Sequence, residues 1–198
     1  MVKKHPDNIL FRRAGIKDVP TIGSIINGYA EYGIMLHRSS AYLFEHVRDF
    51  HVAVDKDQVV GVCGLNIVWS NMAEVYALAV SPSHRGQGVG KRLVLHCVDE
   101  GEDLGIRKLM TLTYEQKFFE RCGFAVIDRQ SLPLKVWSEC VQCPKNQACD
   151  EIAMIRINEE VPDFVVAQPQ VAQPDKYEVP VPLIISTLPN AAKVPAGS

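Results

Sequence analysis

"SPSHRGQGVGKRL", residues 81–93, is the stretch that decides how this chain is read. Glycines stand at alternate positions, Gly86, Gly88 and Gly90, behind Arg85 and ahead of an amphipathic run. Such a strand-to-helix turn lets backbone N–H groups approach an anion, because no Cβ atoms block the way. Two common nucleotide patterns fail on it. A Walker loop needs glycine five residues before Gly90 and Ser or Thr after Lys91, where this chain has Arg85 and Arg92. The dinucleotide fingerprint, started at Gly86 and Gly88, needs glycine where Lys91 stands, and the strands before it read as hairpin-linked rather than as a βαβ unit.

Upstream, "FHVAVDKDQVVGVCGLNIVWSNMAEVYALAVSP" holds two β-rich runs around the turn Asp55-Lys56-Asp57. A second polar turn near Ser70-Asn71 leads into a third strand, Glu74 to Val80, so the segment reads as an antiparallel meander. Earlier, "FRRAGIKDVPTIGSIINGYAEYG" gives a short strand and then a helix with Asp18 as N-cap and Pro20 in its first turn. Val19, Ile22, Ile25, Ile26 and Tyr29 recur at helical spacing and form its buried face. "HRSSAYLFEHVRD" predicts a second short helix capped by Ser39 or Ser40. Downstream of the glycine turn, Val89, Leu93, Cys97, Val98 and Leu104 mark one face of a helix ending near Glu102. A strand "RKLMTLT", a short helix "EQKFFERC", a strand "FAVIDR", an insertion within 131–150 and a last strand "EIAMIRI" follow.

Composition bounds the rest. With 198 residues, 47% hydrophobic and 22% charged, the chain reads as one globular domain over residues 1–158 with an appendage. Residues 159–198 hold seven of the twelve prolines and repeat "VAQP", as an extended or disordered tail does. A formal charge of −2, from 21 Lys+Arg against 23 Asp+Glu, offers no general attraction to nucleic acid or anionic membranes. Apolar runs fall far short of the roughly 20 residues a spanning helix needs, and "MVKKHPDNILFRR" has no apolar signal core. The expectation is therefore a cytoplasmic protein with mostly reduced cysteines; a homodimer is left open.

A third phosphate-binding pattern, Arg/Gln-x-x-Gly-x-Gly/Ala between strand and helix, is met by Arg85, Gly88 and Gly90. On this motif, with "VYALAVSP" before it and "FFERCGF" after, the chain from about Phe11 to Ile157 resembles the GCN5-related N-acetyltransferases (GNAT). The resemblance implies an α/β (α+β) acyl-CoA N-acyltransferase fold, with a mixed, mainly antiparallel sheet flanked by helices. It also implies acetyl-CoA as co-substrate, bound by Leu78, Ala79 and Val80 on the strand and by Arg85, Gly86, Gln87, Gly88, Val89, Gly90 and Lys91 on the turn. The start of the following helix would add about 0.3–1 kcal/mol per well-placed negative charge.

An acetyl transfer to an amine needs a base, because an ammonium group has no lone pair with which to attack. Glu74, early on the strand that delivers the turn, is the candidate, and partial burial would have to raise its pKa from about 4.3. The family's usual acid is a tyrosine four residues before Gly-Phe, but here that position is Phe119. Tyr114 is the nearest substitute, and Cys122, though close, is expected to face the core. A thiolate leaving group with pKa near 8.5 also reduces the need for an acid.

In "YGIMLHRSSAYL", "LTYEQKFFERCGF" and "LPLKVWSECVQCPKNQACDEIAM" the chain further resembles the acetyltransferase domain of N-acetylglutamate synthases, the short form above all. That resemblance implies L-glutamate as acceptor, the first committed step of arginine biosynthesis, and direct attack in a ternary complex. Arg38 matches the position that clamps a substrate carboxylate, with Lys135 as second cation and His37 beside it. Ala77 departs from some long forms, which carry cysteine there. The alternatives are another amine acceptor or a non-catalytic acyl-CoA sensor. Cys140, Cys143 and Cys149 are spaced C-x2-C-x5-C, which offers zinc three ligands and no fourth at normal spacing, so no metal is expected to be required. Cys63 and Cys97 fall on apolar faces as small core residues, and His84 is placed to add to the field beside the turn.

Overall fold

In the computed structural model, residues 8–132 and 150–163 are described. Seven strands form one sheet in the order β1-β2-β3-β4-β5-β7-β6. These are β1 (Leu10–Arg13), β2 (Phe50–Asp55), β3 (Gln58–Trp69), β4 (Met72–Val80), β5 (Lys108–Thr113), β6 (Ala125–Val126) and β7 (Ile152–Ile157). Every pairing is antiparallel except β4 with β5. Four helices accompany them: α1 (Val19–Ala30), α2 (Ser40–Glu45), α3 (Val89–Asp103) and α4 (Gln116–Glu120). The mixed, mainly antiparallel α/β architecture expected from the sequence is the one observed.

Two apolar cores lie on opposite faces of the sheet. Val19, Ile22 and Ile26 of α1 and Leu43 of α2 pack with Phe50, Val52 and Val62 on one face. Val89, Leu93, Cys97 and Val98 of α3 pack with Ala53, Leu65 and Val75 on the other. The β2–β3 hairpin turns at Lys56 and Asp57, whose φ values of 48° and 66° suit a two-residue turn with the handed twist strands prefer.

The strand carrying the site is irregular in a consequential way. Facing β3, Gly64 is opposite Tyr76 and Val62 is opposite Ala79, so β4 fits one extra residue into the ladder there. Ala77 absorbs it with φ of 50°, a conformation that costs a non-glycine residue about 1 kcal/mol or more. Tyr76 and Ala77, though consecutive, therefore both pack towards α1 and α2, while Val75 and Leu78 pack towards α3. On its other edge β4 pairs with β5 only from Met72 to Glu74. Beyond Glu74 and Met110 the ladder between the two parallel strands ends.

Some local expectations are corrected. Asp18 stands at the N-cap of α1 but does not cap it; its carboxylate accepts from Gly15 N at 2.7 Å and from Arg12 at 2.6 and 3.0 Å. Arg12 holds that carboxyl below its ordinary pKa. The expected strand "FAVIDR" shrinks to Ala125–Val126, because Asp128 accepts from Gln130 N and starts a 3₁₀ turn. Leu104 is 50% exposed, one residue past the end of α3, and lies off the buried face. Ser39 is the residue that caps α2, accepting from Tyr42 N at 3.1 Å.

Candidate active site

The strand-to-helix turn is built largely by hydrogen bonds that its own side chains make away from its outer surface. Ser81 N donates to Val60 O at 2.8 Å, which fixes where β4 ends. Pro82–His84 form a 3₁₀ turn, and the His84 ring bonds Ser83 Oγ at 2.9 Å and Asp55 Oδ2 at 3.1 Å. His84 thus ties the turn to the end of β2. Gln87 Nε2 donates to Ser83 O at 2.8 Å, so this side chain also braces the turn.

Gly86 and Gly88 have φ of 72° and 81°, and a Cβ on either would meet nothing within 4 Å. Gly88 is the N-cap of α3, with no side chain capping the helix, so the first N–H groups of α3 lack intrahelical acceptors. Gly90 serves packing as well: a Cβ there would lie 3.5 Å from the Phe118 ring. Val89 is 1% and Ala79 2% exposed, so these two can offer a ligand only backbone groups. Leu78 and Val80 are half-buried against the α3 core, and Lys91 is exposed at the helix start. The turn, the uncapped helix start and the edge of β4 beyond its ladder with β5 together fit a long ligand with a pyrophosphate at one end, as acyl-CoA has.

Arg85 is exposed, yet its Nε donates to Tyr29 Oη at 2.8 Å and its guanidinium stacks 4.7 Å from the Tyr29 ring. The Tyr29 hydroxyl in turn donates to Val80 O.

The other substrate side lies on the face of the sheet occupied by α1 and α2. Glu74, partly buried, pairs across Asn66 on β3 and Met110 on β5, the last pair of the β4–β5 ladder. Tyr76 follows two residues on and shares its face. The Tyr76 ring lies over Gly64, where a Cβ would come within 2.4 Å of it. The Tyr76 hydroxyl is buried without a hydrogen-bond partner in normal geometry, and burial, with Tyr42 and Asp49 nearby, pushes its pKa far up, so the phenol stays neutral.

Arg38 is held at both ends. Its backbone N donates to Asn27 Oδ1 at 2.9 Å, and its O accepts from Asn27 Nδ2 at 3.0 Å. Its guanidinium lies 4.3 Å from the Tyr42 ring centre and 5.9 Å from that of Tyr76. A guanidinium placed over an aromatic ring gains about 0.5–2 kcal/mol from the ring's negative face. His37 is exposed.

Tyr114 follows the end of β5 and is 36% exposed. Phe119 is 4% exposed and meets Phe118 and Phe124 edge to face, at 5.1 and 5.3 Å, so it is a core residue. Cys122 is buried and its thiol is pushed up by burial, as befits a core position. Cys63 and Cys97 are also buried, and their mutual contact together with burial raises the Cys97 thiol. Lys135, Cys140, Cys143 and Cys149 lie outside the described residues. Among the described residues no group of three or more His, Cys, Asp or Glu could hold a metal, and no helix is long and apolar enough to cross a membrane.

Sequence reasoning names Glu74 and Arg38 separately, and the structure brings Arg38 near Tyr76 on the face of β4 that bears Glu74. The sequence does not single out Asn27, Tyr42, Tyr76, Gly64 or the Tyr29 hydroxyl. Tyr29 reads simply as part of an apolar stripe, and no local signal marks its hydroxyl.

Comparison with known proteins agrees with this fold. A model of the acetyltransferase (GNAT) family matches residues 26–124. An uncharacterized N-acetyltransferase of Chlorobaculum tepidum is 40% identical over 145 residues, 73% of this chain and 94% of that protein. An amino-acid acetyltransferase of Mycobacterium tuberculosis is 34% identical over 131 residues, 65% of this chain and 75% of that one. Among solved structures, N-acetylglutamate synthase from Neisseria gonorrhoeae, complexed with coenzyme A and N-acetyl-glutamate, is similar with a TM-score of 0.69 and 27% identity. The similarity covers 75% of this chain but only 35% of that longer one. This chain belongs to the GNAT acetyltransferase family.

Proposed function

We propose that this acetyltransferase moves the acetyl group of acetyl-CoA to the α-amine of L-glutamate, by direct attack within a ternary complex. The observation that carries the reading is Arg38, placed over Tyr42 and Tyr76 on the face of β4 that bears Glu74. A guanidinium held over aromatic rings suits a carboxylate, which it can take by two parallel hydrogen bonds. The Neisseria synthase, whose structure holds N-acetyl-glutamate, and the mycobacterial amino-acid acetyltransferase support the same acceptor class.

Acetyl-CoA, when bound along β4 and the turn, supplies the activated thioester. Glu74 takes a proton from the acceptor ammonium and so frees the lone pair that attacks. Its place at the last β4–β5 pair, on the face of β4 that also bears Tyr76, supports that role. Tyr114, just past the end of β5, returns a proton to the departing thiolate. Phe119 cannot do so, being an apolar core residue.

The test is release of free thiol from acetyl-CoA across a panel of amino acids, polyamines and peptide N-termini. The fastest turnover is expected with L-glutamate. Turnover of another amine but not of glutamate overturns the acceptor and leaves the acetyltransferase; CoA binding with no turnover on any amine marks a sensor.

A further inference from the structure

Two arginines stand at the two substrate ends of this site, Arg85 in the turn and Arg38 before α2. Both are bonded to the same short stretch of α1. Asn27 and Tyr29 are two residues apart, so on a helix they point in widely different directions. Asn27 reaches the backbone of Arg38 with two hydrogen bonds, at 2.9 and 3.0 Å. Tyr29 reaches the opposite way, to Arg85 Nε at 2.8 Å and to Val80 O at the end of β4.

The chemistry of the second contact is specific. A phenol has one proton and spare lone pairs, so Tyr29 gives its proton to Val80 O and accepts from Arg85 without conflict. The bond occupies Nε of Arg85, and its two terminal nitrogens make no hydrogen bond among the described residues. Those nitrogens are the pair that grips phosphate oxygens side by side. The Arg85 guanidinium also lies over the Tyr29 ring, 4.7 Å from its centre, which adds a cation–π attraction to the hydrogen bond. The first contact does for Arg38 what a turn of helix cannot: it pins the N–H and C=O of a residue in irregular chain, leaving its side chain to Tyr42 and Tyr76.

We infer that Asn27 and Tyr29 are positioning residues, and that the last turns of α1 set the donor-binding and acceptor-binding arginines separately. The inference rests on the roles given above to Arg85 and Arg38. Because the two contacts diverge, each variant disturbs one substrate and spares the other. Tyr29→Phe keeps the ring and loses both hydrogen bonds; Asn27→Ala loses both bonds to Arg38 and favours helix.

The experiment measures the CoA dissociation constant by calorimetry, and steady-state KM values with acetyl-CoA and with acetylpantetheine, which lacks the pyrophosphate. Tyr29→Phe is expected to weaken CoA binding about 5- to 20-fold, and to leave the acetylpantetheine and acceptor KM values within about twofold. Asn27→Ala is expected to raise the acceptor KM about 5- to 20-fold and to leave CoA binding within about twofold. Tyr29→Phe combined with Arg85→Gln should bind CoA no more weakly than Arg85→Gln alone, since the two act as one unit. Equal loss by Tyr29→Phe with both donors, additive loss in the double variant, or damage to both substrates by either single variant would overturn the inference. The CoA measurements need no acceptor, so a chain that turns over an amine other than glutamate fails the proposed function alone, and the Asn27 arm is then read with that amine.

Discussion

At the C-terminal end of β4 the site is made mainly of backbone, with the Arg85 side chain beside it: glycines at φ of 72° and 81°, an uncapped helix start, and a strand that pairs with β5 only as far as Glu74. On the α1 and α2 face it is made of side chains gathered from three segments, Arg38 before α2, Tyr42 on α2, and Glu74 and Tyr76 on β4, with Asn27 of α1 behind them. In the proposed reading the first region holds a group common to every acyl-CoA, which main-chain donors and the Arg85 guanidinium serve. The second has to tell one amine from another, and that takes particular side chains. The contrast teaches that the two regions should fail in different ways when altered.

The largest expected effect falls where the regions meet. Glu74→Gln should lower kcat about 10²- to 10⁴-fold with CoA binding unchanged, read by thiol release and calorimetry. Loss of CoA affinity in that variant would break the contrast. Next comes Gly64→Ala, which drives a methyl group into the Tyr76 ring and should cost about 1–3 kcal/mol of stability by thermal or urea unfolding. The same variant should raise the acceptor KM while sparing CoA binding.

Gly88→Ala sharpens the other side. Space is open at that position, so the harm is conformational, about 1–2 kcal/mol for a residue forced to φ near 81°. The expected outcome is weaker CoA binding with the acceptor KM nearly constant. Smallest is Asp18→Asn, at about 0.5–1 kcal/mol, for an ion pair whose arginine is 40% exposed. Arg12 depresses the Asp18 pKa, so this stabilisation is present above the unfolded value of about 3.9 and is lost as pH falls through the lower folded value. Unfolding curves of parent and variant should therefore differ at pH 7 and converge on acidification, with activity at pH 7 unchanged.

How much of this was legible follows the same division. The glycine turn could be read because φ > 0 and close approach leave a mark in residue type, and the strand and helix around it have clean periods. The bulge at Ala77 left none, since an alanine forced to φ of 50° looks like any strand alanine. Glu74 and Arg38 were reached through family resemblance, but what orients Arg38 was not: Tyr42 and Tyr76 are brought together by long-range packing, over a glycine whose reason is the ring opposite. Tyr29 had the right spacing for a core position and the wrong description, because spacing reports the ring and says nothing of the hydroxyl. The short β6 was overread because the apolar run continues to Ile127, while Asp128 turns the chain by a local side-chain bond.

The separation of donor and acceptor regions is tested most directly by Arg38→Ala, with both substrates varied in one steady-state grid of acetyl-CoA against L-glutamate. Loss of a bidentate, charge-assisted contact should raise the glutamate KM about 10- to 100-fold and leave the acetyl-CoA KM within about twofold. An unchanged glutamate KM, or an equal rise for both substrates, would contradict it.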